Sequence, residues 1–202
     1  MSGLATRVRR EDGYSLIEIM VVIGIMGVVG GMAVAQLATT RNVVRGDAAM
    51  RQVISQLNLA QQQAITQRRY IEVTFDTTHN WISIIREDTT TTTTTLSTTL
   101  FEGGAVFGLT AGLPDTPDAF GNSAATCFSN STNGTFASAT GSTKVAKFAP
   151  DGTLVDWNGI TTNGTVFTTI PNTSPVARAV TVLGSTGRIR GFRWDGKQWV
   201  KV

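Results

Sequence analysis

The apolar positions of this chain fall into two regimes that meet near residue 70. From Leu16 to Ala35 the residues are apolar or small, and Glu18 is the only charge. A helix rising 1.5 Å per residue needs about 20 such residues to cross a hydrocarbon core about 30 Å thick, so this run predicts a membrane span over about 16–35. Beyond it, Met50, Val53, Ile54, Leu57, Ala60, Ala64 and Ile65 recur at intervals of three and four. Arg51, Gln52, Gln56, Gln61, Gln62 and Arg68 lie between them. That is the pattern of an amphipathic helix with one dry face. A single helix over 14–69 accounts for both stretches, apolar all round in its first half and half-buried in its second.

After Tyr70 the period becomes two. Ile71-Glu72-Val73-Thr74-Phe75 and Trp81-Ile82-Ser83-Ile84-Ile85 flank a short polar turn and predict a β-hairpin. The threonine tract Thr89–Thr95 reads as a surface loop or an irregular edge strand. Leu100–Phe107 is a further strand candidate, and 110–143, rich in Gly, Pro, Asn, Ser and Thr, reads as a long loop. Pro150-Asp151-Gly152 is a turn. Strands are expected at 154–157, 165–170, 176–183, 189–194 and 198–202, the last two joined through Asp195-Gly196. The fold class is α+β: a long N-terminal helix laid on an antiparallel β-sheet domain over 70–202.

Charged residues make up only 15% of the chain and Thr, Ser and Gly dominate its second half, a composition suited to an exported β-rich domain. Cys127 is the single cysteine, so the chain forms no internal disulfide. His79 is the single histidine and follows Asp76 in a turn, with no second His or Cys to complete a metal site. No nucleophile with its base, no carboxylate pair in a cleft and no phosphate-binding glycine loop is evident. The sequence therefore points away from an enzyme and implies no cofactor.

Residues 1–13 are polar, carry Arg7, Arg9 and Arg10, and end in Gly13 immediately before the apolar run. Three arginines ahead of the span favour a cytoplasmic N-terminus and an exported C-terminal domain, a bias that Arg41 and Arg45 beyond the span reduce. An ordinary secretory signal is cut after its apolar run, whereas here the plausible cut lies before it. The stretch Gly13-Tyr14-Ser15-Leu16-Ile17-Glu18 resembles the leader signal of type IV pilins and pseudopilins, with Tyr and Ser in place of the usual Phe and Thr. The resemblance implies cleavage after Gly13 by prepilin peptidase, methylation of the new N-terminus at Tyr14, and retention of the helix in the inner membrane until it joins other pilins or pseudopilins in a filament. A carboxylate within a span costs about 2.5–3.5 kcal/mol and persists where it has a partner or a task. For Glu18 the resemblance implies pairing with the N-terminal amine of a neighbouring subunit.

The 27 residues from Val176 onward hold six basic groups and one acid, a local charge of +5 in a chain whose total is +3. Arg188, Arg190, Arg193, Lys197 and Lys201 are interleaved there with Phe192, Trp194 and Trp199. Cations neutralise phosphates and exposed aromatic rings stack on bases. On an extended strand Arg188 and Arg190 share a face, which predicts a two-pronged cationic grip. The alternative reading is an edge strand whose arginines serve solubility or contact a neighbouring pilin. Together with the Phe148-Ala149-Pro150-Asp151-Gly152 turn, Gly187-Arg188-Ile189-Arg190 resembles the GspH/FimT branch of pseudopilins and minor pilins. In FimT-like minor pilins a Gly-Arg-x-Arg motif is associated with binding double-stranded DNA during natural transformation. The resemblance thus implies a DNA site at Gly187, Arg188, Arg190, Arg193 and Lys197, or else a GspH-like structural pseudopilin of a type II secretion system or a pilus-tip assembly subunit that binds no DNA.

Overall fold

The computed structural model describes residues 14–89, 91–101, 103–128, 143–171 and 176–202, and for 34–39, 143 and 144 the backbone alone. Its contacts divide the chain into two units, Met1–Thr40 and Arg41–Val202. Helix α1, Leu16–Gln67, contributes residues to both.

In the first unit α1 opens where the Ser15 carbonyl accepts the amides of Glu18 at 3.0 Å and Ile19 at 3.2 Å. Leu16–Ala33 is long and apolar enough to cross a membrane, and none of it is buried. A cylinder of bare apolar side chains is stable only in lipid or among other helices. Nothing lies within 4 Å of the space above Gly24, Gly27, Gly30 or Gly31, so these small residues leave room for a helix to approach closely.

In the second unit the remainder of α1 lies on two antiparallel sheets. The first has the order β3-β2-β1-β6-β7, from β1 (Ile71–Asp76), β2 (Trp81–Glu87), β3 (Thr93–Leu100), β6 (Thr143–Phe148) and β7 (Leu154–Val155). The second runs β11-β10-β9-β8-β4, from β4 (Val106–Phe107), β8 (Gly164–Thr169), β9 (Arg178–Leu183), β10 (Arg188–Trp194) and β11 (Trp199–Lys201). The short β5 (Thr126–Phe128) pairs with β8. Met50, Val53, Leu57, Ala60 and Ala64 of α1 are buried in one core with Ile71, Val73 and Phe75 of β1 and with Val166, Val180 and Val182 of the second sheet. Helix and sheet meet closely because glycines line the contact. A Cβ on Gly46 would fall 2.6 Å from Val176, and one on Gly191 would fall 3.0 Å from Ile54. Buried Arg178 reaches from β9 to Asp47 of α1 at 2.6 Å.

The second sheet is covered on its other face too. Phe167, Ala177, Ala179, Phe192 and Trp199 form a smaller cluster there, with Leu109, Leu113 and Trp194 packed against it. Part of the expected 110–143 loop is therefore a cover segment: Trp199 Nε1 donates to the Pro114 carbonyl at 2.8 Å, and β5 follows. Residues 129–142 of that loop lie outside the described residues.

Elsewhere the alternation held or failed for identifiable reasons. The expected β1–β2 hairpin forms, with Ile71 opposite Arg86 and Asp76 opposite Trp81. The threonine tract becomes the edge strand β3 from Thr93, with a bulge opposite Ile84 and Ile85. Of Leu100–Phe107, Leu100 ends β3 and Val106–Phe107 form β4, and between them Gly103 and Gly104 both adopt left-handed backbone, φ 73° and 76°. Strand β6 is absent from the sequence pattern because two lysines interrupt it, yet it is paired on both sides in its sheet. Ile65, expected on the dry face of α1, is 49% exposed.

Candidate functional site

The tail motif begins in the turn between β9 and β10. Gly187 has φ 62°, and a Cβ there would lie 2.1 Å from Gln61 Nε2 and 2.2 Å from the Gly152 carbonyl oxygen. Gln61 Nε2 donates to that same oxygen at 2.9 Å. Gly152, φ 84°, closes the turn after β6 and lies under Ile65, whose Cδ1 is 2.8 Å from where a Cβ would be. The two short motifs, remote in sequence, thus meet beneath one turn of α1. The glycine of Gly-Arg-x-Arg is required by this contact whatever the arginines do.

The arginines differ from one another. Arg188, the first residue of β10, is exposed and has no ion-pair partner among the described residues. Arg190 is half-buried on the outer face, where its Nη1 meets Asp118 Oδ1 at 2.6 Å. Asp118 Oδ2 also accepts from Thr181 Oγ1 at 2.6 Å, and Thr181 is the cross-strand neighbour of Arg190. The two prongs of the expected grip are therefore unlike. Both side chains do point to one face, but the cover segment brings a carboxylate onto one prong.

Arg193 is exposed, pairs in register with Arg178, and so lies on the opposite, helix-facing side of β10. At about 3.3 Å per residue it is about 16 Å along the strand from Arg188. Lys197 is exposed in the last turn, where its amide and that of Gln198 donate to Asp195 Oδ1, each at 2.7 Å. Those backbone bonds, Gln198 first, hold the exposed Asp195 carboxyl below its ordinary pKa. The basic residues accordingly form two groups at opposite ends of β10 rather than one patch. The aromatics between them are not free for stacking either. Phe192 and Trp199 are buried, and Trp194 packs edge-on to Trp199 at 5.5 Å.

At the N-terminal signal, Gly13 lies outside the described residues. Tyr14 is exposed, and Glu18 is exposed in the first turn of α1.

A further cluster went unforeseen because its members come from three separate strands. Glu72 of β1 stands directly across from Lys147 of β6, whose Nζ meets Glu87 Oε1 of β2 at 2.6 Å. Burial, reinforced by the hydrogen bond and charge of Glu87, pushes the Glu72 carboxyl from its ordinary 4.5 to about 7. Burial also acts upward on Glu87, but hydrogen bonds from the Glu72 carboxyl and the Lys147 ammonium outweigh it and hold Glu87 low. The Lys147 ammonium lies over two rings, 4.6 Å from the centre of Tyr70 and 5.3 Å from that of Trp157. His79, the sole histidine, accepts a simpler account: Nδ1 is 2.8 Å from Asp76 Oδ2 and the ring stacks on Trp81. Among the described residues no group of three or more His, Cys, Asp or Glu side chains could hold a metal ion.

An unburied apolar helix whose continuation packs on antiparallel sheets is the layout of a pilin-like subunit. The prokaryotic N-terminal methylation motif matches residues 8–34, and the family of the type II transport protein GspH matches residues 49–186. The chain belongs to the GspH family and is a minor pilin or pseudopilin of a type IV pilus or type II secretion apparatus. The methylation motif implies processing by prepilin peptidase and assembly with other pilins. Among solved structures, the type IV minor pilin FimU of Pseudomonas aeruginosa is similar at 13% identity over 76% of this chain and 91% of that one, with a TM-score of 0.46. The minor pseudopilin EpsH from the type 2 secretion system of Vibrio cholerae is similar at 13% identity over 76% of this chain and 99% of that one, with a TM-score of 0.47. No curated protein matches the chain.

Proposed function

We propose that this subunit binds double-stranded DNA through the Arg188 end of β10, as part of DNA uptake by a type IV pilus. The observation that carries the reading is the state of Arg188: exposed, without an ion-pair partner among the described residues, and projecting from a turn that Gly187 fixes against α1. A guanidinium so placed is available for bidentate contact with a phosphate. Arg193 and Lys197 add positive charge about 16 Å along β10, on its other face and in the turn that follows, which strengthens the long-range attraction for the duplex. Arg190 joins only by exchanging the Asp118 carboxylate for a phosphate.

In the same reading the leader over 1–13 is removed after Gly13, Tyr14 is N-methylated, and Glu18 pairs with the amine of a neighbouring subunit. The N-terminus is cytoplasmic, the helix over 14–69 anchors the chain in the inner membrane, and the domain over 70–202 is exported. A gel shift of duplex DNA by the full chain in non-ionic detergent tests the DNA contact. Wild type should shift the duplex in a salt-sensitive, sequence-independent way, and R188A/R190A should not.

A second reading, a structural pseudopilin without DNA affinity, is favoured by the packing duty of Gly187 and the engagement of Arg190 with Asp118. It expects no shift by wild type and a loss of secretion or piliation when the gene is deleted.

A further inference from the structure

At the C-terminal end of α1 lies a cleft of about 450 Å³, lined by Arg68, Arg69, Tyr70, Lys147 and Trp157 among others. Its charges are unequal in availability. Of its acids, Glu87 is engaged by Lys147 and Asp88 by Arg86, both at 2.6 Å. Arg69 donates to the Asp88 carbonyl. Arg68, which leaves the helix with φ 52°, is exposed and has no hydrogen-bond or ion-pair partner among the described residues. The cleft thus offers a net free cation.

It also offers an aromatic face. Trp157 is 58% exposed, far more than a tryptophan spared from the core requires. Its position is fixed, because Asp156 Oδ1 accepts the amides of Asn158 and Ile160, both at 2.8 Å, and closes the turn that carries the ring. With Lys147 over one side, the ring keeps an open surface on which a planar group can stack. Phe192, Trp194 and Trp199 are taken up in packing, so Trp157 supplies the stacking that the tail cannot.

The Pro150-Asp151-Gly152 turn links the cleft to the start of β10. Gly187, which precedes Arg188, lies against the Gly152 carbonyl; Pro150 of the same turn lines the cleft. Ile65 covers Gly152, and Arg68 follows three residues later, just past the end of α1.

We propose that the cleft at the end of α1 is a stacking subsite for an unpaired nucleotide at a DNA end, with Trp157 against the base and Arg68 on its phosphate. The inference rests on the DNA-binding reading above and adds a preference for frayed or single-stranded ends over blunt duplex.

The test is fluorescence anisotropy with the full chain in non-ionic detergent, titrated against a blunt duplex and the same duplex carrying a short single-stranded overhang. Wild type should bind the overhang duplex about tenfold more tightly, the scale of one base stacked on an aromatic ring. W157A should erase that preference while leaving blunt-duplex affinity unchanged, and W157F should restore part of it. R68A should weaken binding to the overhang duplex and flatten its salt dependence by about one contact. Circular dichroism melts confirm that each variant folds. Equal wild-type affinity for the two duplexes, or a folded W157A that retains the preference, overturns the subsite. In either case loss of binding in R188A would leave the DNA reading standing. Wild type that binds neither duplex removes the DNA reading and the subsite with it.

Discussion

Arg190 and Asp118 meet at 2.6 Å across 72 residues of chain, joining the third residue of β10 to the segment that covers its outer face. Asp118 holds Thr181 of β9 as well, so one carboxylate clips two neighbouring strands to their cover. Replacing Asp118 with Ala leaves a half-buried guanidinium without its acceptor, at a cost of about 1–3 kcal/mol in denaturant unfolding. The freed cation should also raise duplex affinity severalfold. Unchanged stability would mean that the pair is a surface contact of no consequence.

Gly187 and Gly196 both have left-handed backbone, φ 62° and 100°, but only Gly187 has neighbours within reach of a Cβ. Conformation alone costs a non-glycine residue about 1–2 kcal/mol. G196A should lose about that much, and G187A distinctly more, because its methyl meets Gln61 and the Gly152 carbonyl. Comparable melting temperatures for the two variants would refute the contact. Loss of DNA binding in G187A by itself would report on packing and not on recognition.

Arg178 is fully buried, and its Nε bonds to Asp47 of α1, which keeps some water contact. D47A should destabilise the domain by about 3 kcal/mol, the low end for breaking a buried pair, since it strands a charge under the helix. D47A/R178M removes both charges and should recover much of the loss. A double variant no better than D47A would show that the pair contributes more than mutual neutralisation.

Glu72 binds its proton more tightly in the folded chain, with its pKa pushed to about 7 from an ordinary 4.5 by burial and by Glu87. Between those values the folded state holds a proton that the unfolded state has released, so stability falls as pH rises from about 4.5 through 7. Glu87, held low, acts in the opposite sense only below its ordinary value of 4.5. E72Q mimics the neutral acid. It should melt near wild type at pH 5, above it at pH 8, and show a flatter profile between. Parallel profiles for the two proteins would contradict the shared proton.

Much of the fold is legible in the sequence because the residues that create it are local. The helix needs only its own three-and-four repeat, and the strands at 71–76, 81–87 and 188–194 need only alternation. β6 is not legible: Lys147 breaks its apolar pattern, and that lysine is tolerated because Glu87 and the rings of Tyr70 and Trp157 surround it from other segments. The tail shows the same limit. Its arginines can be counted in the sequence, but the availability of each depends on Asp118, 72 residues before Arg190. Likewise Phe192, Trp194 and Trp199 read as exposed only until Leu109, Leu113 and Pro114 fold over them.

The account rests above all on the apolar helix surviving as the first element of a processed, membrane-anchored subunit. Intact mass and N-terminal peptide mapping of the chain from the membranes of the cell that makes it test this directly. The account predicts a polypeptide that starts at Tyr14 with one added methyl group on its amine. A chain that keeps residues 1–13, or one released from the membrane with Leu16–Ala33 removed, would contradict it.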